Sequence, residues 1–257
     1  MSNEKIINLA AYAGKILLES GAETYRVEET INKICSAFDM KAADSFVTPT
    51  GLIISGTGND DKIISIVKRV QVRTVNLEKI SEVNNLSRLL QHETLSIEEV
   101  HSRLEKIDNN KIFPNWTHTL ASALAAGFFT LIFGGTINDF GVSCLIGVLI
   151  RLSSTIISKL NMNDFFLNMF GGAVAALTAL IFKRLGIVVY LDKTIIGSIM
   201  LLVPGLAITN AVRDTIAGDL VSGISRALEA FFMAVAIAAG TGIVFKVWIN
   251  FFGGTGL

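Results

Sequence analysis

From residue 113 onward this chain runs through five long apolar stretches, at about 117–134, 140–158, 165–182, 194–212 and 226–250. Each is close to the roughly 20 residues that cross a bilayer as a helix. Charge follows the same division: residues 1–112 hold 14 Lys/Arg and 16 Asp/Glu, residues 113–257 only 8 and 6. Chemistry so unequal does not fold around one core. The expectation is a soluble domain over 1–112 and an all-α polytopic membrane domain of five transmembrane helices over 113–257. The change falls in "NNKIFPNWTH", where a polar turn, Pro114 and Trp116 mark entry into a bilayer through an interfacial aromatic. Over the whole chain 17% of residues are charged, against about 25% in soluble domains, and mean hydropathy is +0.56.

The first 112 residues read as an α+β module. Ile6, Leu9, Ala10, Ala13, Ile16 and Leu17 share one side of a helix that Gly21 stops. Val27, Ile31, Ile34, Cys35 and Phe38 form the apolar stripe of a second helix, from about Glu23 to Phe38. "DSFVT", "GLIIS" and "KIISIVKRV", separated by "PTG" and "GTGNDD", predict a small antiparallel sheet. Two amphipathic helices follow. The second opens on Ser96 with Glu99 three residues on, a reciprocal cap, and Leu95 facing Val100. The order is α-α-β-β-β-α-α.

Several functions find no support in these residues. No nucleophile elbow, P-loop or HExxH motif is present, and "GTGND" lacks the strand-to-helix setting of a phosphate loop. Asp60-Asp61 reads as a solvated turn. His92, His101 and His118 share no metal-ligand spacing, so no metal or cofactor is expected. Cys35 and Cys144 make no disulfide scaffold, and a formal net charge of zero leaves no nucleic-acid footprint. The first 20 residues lack the continuous apolar core of a secretory signal, so the N-terminal domain is expected in the cytoplasm.

In the membrane half, "LASALAAG", "FGGAVAALTA" and "AVAIAAGTG" supply small residues that let helix backbones approach in lipid. Loop charges orient the spans weakly. Five helices without an internal repeat are an incomplete transporter by the paired-repeat logic of many such folds. A second copy or a different hydrophobic chain is the natural completion.

The stretch "VPGLAITNAVRDTIAGD" at 203–219 breaks this apolar pattern. Pro204 gives no amide and Gly205 loosens the helix further. Asn210, Arg213 and Asp214 stand at i, i+3 and i+4, one helical face, and Arg can clamp a carboxylate with two parallel hydrogen bonds. Pro204, Gly205, Asn210, Arg213 and Asp214 are therefore the expected solute-binding set. Asp219, Arg226 and Glu229 are candidates for proton or ion coupling, because a carboxylate inside a span is functional by default. For Asp219 and Arg226 a cytoplasmic loop and a positive-inside anchor are equally open readings.

"ESGAETYRVEETINKIC", "FVTPTGLIIS" and "LVPGLAITNAVRDTIAGDLVSGISRALEA" together resemble the threonine/serine exporter family, in order and over nearly the whole chain. Pro204, Gly205, Asn210 and Asp214 match its membrane signature; Gly21, Glu28, Pro49 and Gly51 match its soluble one. The resemblance implies efflux of small amino or carboxylic acids across the inner membrane, driven by the proton gradient. Full-length members join such a unit to a second hydrophobic unit. This chain therefore resembles the larger subunit of the split, two-protein form, with a smaller hydrophobic subunit as partner and threonine, serine or a dicarboxylate such as succinate as solute. Two other classes stay open on the residues: a membrane-anchored hydrolase with the soluble domain catalytic, and a non-transporting scaffold or sensor.

Overall fold

The computed structural model describes residues 3–58, 61–110, 113–159 and 162–253. Asp60 and the domain boundary expected at 112 lie outside them. The chain forms two compact units. The first is Met1–Asn110 together with Gly205–Leu228; the second is Lys111–Pro204 together with Glu229–Leu257.

In the first unit the order is α1 (Asn3–Glu19), α2 (Thr24–Ala37), β1 (Ala42–Thr48), β2 (Gly51–Thr57), β3 (Ile63–Arg69), α3 (Leu77–Leu89) and α4 (Ile97–Asn109). This is the expected α-α-β-β-β-α-α sequence. The sheet is antiparallel in the order β1-β2-β3. Alternation along the strands turns Val47, Leu52 and Ile54 inward, where they meet Ile6, Leu9, Ile16 and Leu17 of α1, Val27 and Ile31 of α2, and Val100 and Leu104 of α4. The reciprocal cap forms as the sequence predicts. Ser96 Oγ accepts from the Glu99 amide at 3.2 Å, and Glu99 Oε2 accepts from the Ser96 amide at 2.9 Å. Gly21 ends α1 in the left-handed region at φ +87°. The Ala22 amide there reaches back to the Leu17 carbonyl at 3.0 Å and the Gly21 amide to Leu18 at 3.1 Å, closing the helix. Two further segments pack into this unit, α9 (Gly205–Ala217) and the first turns of α10 (Leu220–Phe252).

The second unit holds α5 (Asn115–Ile132), α6 (Ile137–Lys159), α7 (Asp164–Arg184), α8 (Leu191–Ile199) and the rest of α10. Its apolar core joins Val142, Ile146 and Ile150 of α6 to Ala175 and Ala179 of α7, with Ile195 and Ile237. Small residues do what the sequence suggests. At Gly172 a Cβ would stand 2.6 Å from the Ile237 carbonyl oxygen, so glycine is what lets α7 and α10 touch through their backbones.

The span count differs from expectation. Among the described residues three helices are long and apolar enough to cross a membrane: α6, α7 and α10. The stretch at 117–134 forms α5, whose first turns carry Asn115, Thr117, His118 and Thr119 and dilute its hydropathy. The stretch at 194–212 is not one helix. α8 ends at Ile199 and α9 starts at Gly205. Pro204 has no amide to donate and biases the residue before it away from helical backbone, so the break falls on it. The stretch at 226–250 lies inside the 33-residue α10.

Candidate functional site

Helix α2 starts without a local cap: Glu23 occupies the cap position and its side chain makes no capping hydrogen bond. The free amides at a helix start must then find acceptors elsewhere. They find them 190 residues on. Asp214 of α9 accepts from the Thr24 amide at 3.1 Å through Oδ1, and from Thr24 Oγ1 at 3.2 Å through Oδ2. Its carboxylate thus sits at the positive end of the α2 dipole. The neighbouring side chains engage the same turn residue by residue. Asn210 Nδ2 donates to the Gly21 carbonyl at 2.9 Å, and Arg213 Nη1 donates to Glu23 Oε1. Arg226, in the second turn of α10, donates to the Ala22 carbonyl at 2.8 Å and forms an ion pair with Asp214 at 2.9 Å.

Burial divides this set. Asp214 is 0% exposed, Asn210 2% and Arg226 5%, while 56% of the Arg213 side chain is open to solvent. A buried pair without further hydrogen bonds is costly; here the turn 21–24 supplies them. Glu23 carries a second cation, Arg26, whose Nε donates to Oε2 at 2.9 Å. Burial pushes the Glu23 carboxyl up, but the bonds from its own backbone, Arg213 and Arg26 outweigh it and hold the group below the usual range.

The remaining signature residues adjoin this cluster. Glu28 Oε1 accepts from the Val47 amide at 3.1 Å, and Ser222 Oγ of α10 donates to the Val47 carbonyl at 3.4 Å. The end of β1 is therefore held by α2 on one side and α10 on the other. Burial, together with the charges of Asp219 and Asp214, raises the Glu28 carboxyl despite the Val47 amide. Asp219, half-buried between α9 and α10, is raised by burial and by Asp214. Pro49 is buried in the tight β1–β2 turn, and at Gly51 a Cβ would lie 2.8 Å from the Lys68 carbonyl oxygen. The three quoted stretches thus meet in one place.

Of the expected solute set, Asn210, Arg213 and Asp214 come together on one face of α9, joined by Arg226. Gly205 opens α9, and Pro204 precedes it in the second unit. Glu229 lies half-buried on α10, also in the second unit. The sequence did not single out Glu23, Thr24 or Ser222. For Thr24 a signal existed: no Ser, Thr, Asp or Asn stands at the cap position of α2. Nor did it single out Asp139, 0% exposed in α6. Asp139 accepts from the Val189 and Tyr190 amides, at 2.8 and 3.3 Å, just before α8.

An α+β unit joined to helices long and apolar enough to cross a membrane is the make-up of a membrane protein. The chain belongs to the family described as "Putative threonine/serine exporter", which matches residues 8–248. It is 26% identical over 247 residues to the threonine/serine exporter of Corynebacterium glutamicum, covering 93% of this chain and 50% of that protein. It is 23% identical over 256 residues to the "Probable threonine/serine exporter" of Mycobacterium tuberculosis, covering 93% and 46%. Against the "Probable succinate transporter subunit YjjP" of Escherichia coli the identity is 21% over 246 residues, covering 95% and 94%. The chain therefore spans about half the length of the first two and nearly all of the third. No solved structure matches it.

Proposed function

We propose that this chain is the larger subunit of a split exporter for small amino acids or small carboxylates. It sits in the inner membrane with residues 1–112 in the cytoplasm, and a smaller hydrophobic subunit completes it. One observation carries this reading. Arg213 is a half-exposed guanidinium held by the Glu23 carboxylate, next to a buried Asp214–Arg226 pair that fixes its helix. A solute carboxylate competes with Glu23 for Arg213 by bidentate hydrogen bonding. Glu23, once displaced, meets the solute's ammonium group when there is one. Asn210 and Asp214 shape the site by holding the 21–24 turn, and the Pro204-Gly205 break sets where α9 begins. Glu28 and Asp219, whose carboxyls are raised above their ordinary range, are the candidate proton carriers, and Arg226 and Glu229 are further candidates for coupling. The near end-to-end match to a relative named as a subunit supports the two-protein form.

The test is efflux of labelled threonine, serine and succinate from cells carrying this chain, with and without the small hydrophobic partner. Arg213→Ala, at unchanged protein level, is expected to lower efflux about tenfold or more, the loss of one charge-assisted contact. Unchanged efflux removes Arg213 from the mechanism.

A further inference from the structure

Beyond their contact at Gly172, α7 and α10 leave a groove of about 710 Å³ between their C-terminal ends. This is within the range of small-molecule sites. Its walls are aliphatic, from Leu177, Ile181, Ile243 and Val247, and its polar content is confined to Arg184 and Trp248. Arg184 stands in the last turn of α7 with its Cζ 4.2 Å above the Phe252 ring. Phe252 in turn packs against Trp248, ring centroids 4.6 Å apart and tilted by 44°. Among the described residues Arg184 forms no ion pair, whereas its neighbour Lys183 is bound to the Val189 carbonyl at 2.8 Å. Trp248 is only 7% exposed, and its indole Nε1 has no hydrogen-bond partner among the described residues. A buried donor left unpaired is costly and points to an absent acceptor.

We propose that this groove binds an anionic phospholipid, with an acyl chain along the aliphatic walls and the headgroup phosphate at Arg184 and the Trp248 indole N–H. Charge complementarity selects this occupant. An apolar partner helix would fill the groove but leave both the guanidinium and the indole N–H unmatched. A phosphate accepts from both, and basic residues where transmembrane helices end are suited to anionic headgroups. With its Cζ over the Phe252 ring, the guanidinium is held by the ring face, an interaction that uses none of its N–H donors in a conventional hydrogen bond. This site does not depend on the transport reading.

Trp248 reports on its own groove. The chain has two tryptophans, so Trp116→Phe, at a position 65% exposed, leaves Trp248 as the single emitter. The full chain would be reconstituted in phosphatidylcholine vesicles containing lipid brominated on its acyl chains. Brominated phosphatidylglycerol should half-quench Trp248 at about one fifth of the mole fraction needed with brominated phosphatidylcholine, the preference one basic contact confers. Arg184→Gln should abolish that preference and Arg184→Lys keep most of it. Equal quenching by the two lipids would overturn the proposal. So would no quenching by either, which means that protein, a second copy or a partner helix, covers the groove. If Arg184→Gln does not fold, the comparison of the two lipids on the Trp116→Phe chain still decides.

Discussion

Two aspartates, one in each unit, solve the same problem with different chemistry. Asp139 and Asp214 are both 0% exposed, and both accept amides at the start of a helix far along the chain. Each also takes a threonine hydroxyl, Thr136 at 2.8 Å and Thr24 at 3.2 Å. They differ in the remaining partners. Asp139 is surrounded by neutral donors, the amides of Thr136, Val189 and Tyr190. Asp214 adds the guanidinium of Arg226, and its neighbour Arg213 extends the charge to the surface. Neutral dipoles around a carboxylate make a joint with nothing to exchange. A buried ion pair is costly to form and leaves a strong charge whenever one partner moves. The first arrangement fixes where α8 begins; the second has the parts a changing anion site needs.

The largest expected effect follows from that contrast. Asp214→Ala takes away the carboxylate that pairs with buried Arg226 and accepts from the Thr24 amide, and should destabilise the protein by about 3–5 kcal/mol, the usual cost of removing one partner of a buried pair. Urea unfolding of the full chain in mild detergent measures it. Adding Arg226→Met to Asp214→Ala should recover part of the loss, because the buried guanidinium is then removed together with the carboxylate that offset its burial. If the double variant is no more stable than Asp214→Ala, the ion pair is not what sets these residues apart.

Asp139→Asn should cost less, about 1–3 kcal/mol, because the amide oxygen still accepts one bond while one donor loses its partner. Efflux per folded molecule should stay unchanged. Reduced efflux at equal folded protein would show that Asp139 does more than position α8. Thr24→Val is smaller again. It removes the hydroxyl bond to Asp214 and keeps the amide bond, for about 1 kcal/mol by the same unfolding measurement. A loss as large as that of Asp214→Ala would mean that the hydroxyl, not the ion pair, holds α9.

The sequence made the local structure legible and the long-range pairing only in part. Period-3.6 and period-2 patterning located α1, α2 and the three strands. Ser96 with Glu99 marked the start of α4, and Pro204 marked the α8–α9 break, because each depends on neighbours a few residues away. The spacing of Asn210, Arg213 and Asp214 correctly placed them on one face. What that face meets, the turn at Gly21–Thr24, follows from no local rule, since the partners are about 190 residues distant. At 194–212 the span count failed for a related reason. Mean apolarity does not register that a single proline divides one stretch into two short helices. Asp139 was passed over because "GGTINDF" reads as a loop, and nothing local shows that its carboxylate will be enclosed by backbone amides.

The smallest effect concerns pH, and it tests the opposite shifts of Glu28 and Glu23. Glu28 is raised by burial and by Asp219 and Asp214, so the folded protein binds its proton more tightly than the unfolded chain does. Its contribution is fully present below the ordinary glutamate pKa and is lost as pH rises through the raised value. Glu23 is lowered and runs the other way: its contribution is present above the ordinary value and lost as pH falls through the depressed one. Glu28→Gln should therefore remove part of the stability lost on the alkaline side of the carboxylate range. Asp219, raised in the same direction, supplies the rest. The acid-side loss carried by Glu23 should stay unchanged. Unfolding midpoints of wild type and Glu28→Gln across the carboxylate range separate the two limbs. If they run parallel on the alkaline side, neither burial nor the charges of Asp219 and Asp214 raises Glu28, and it drops out as a proton carrier.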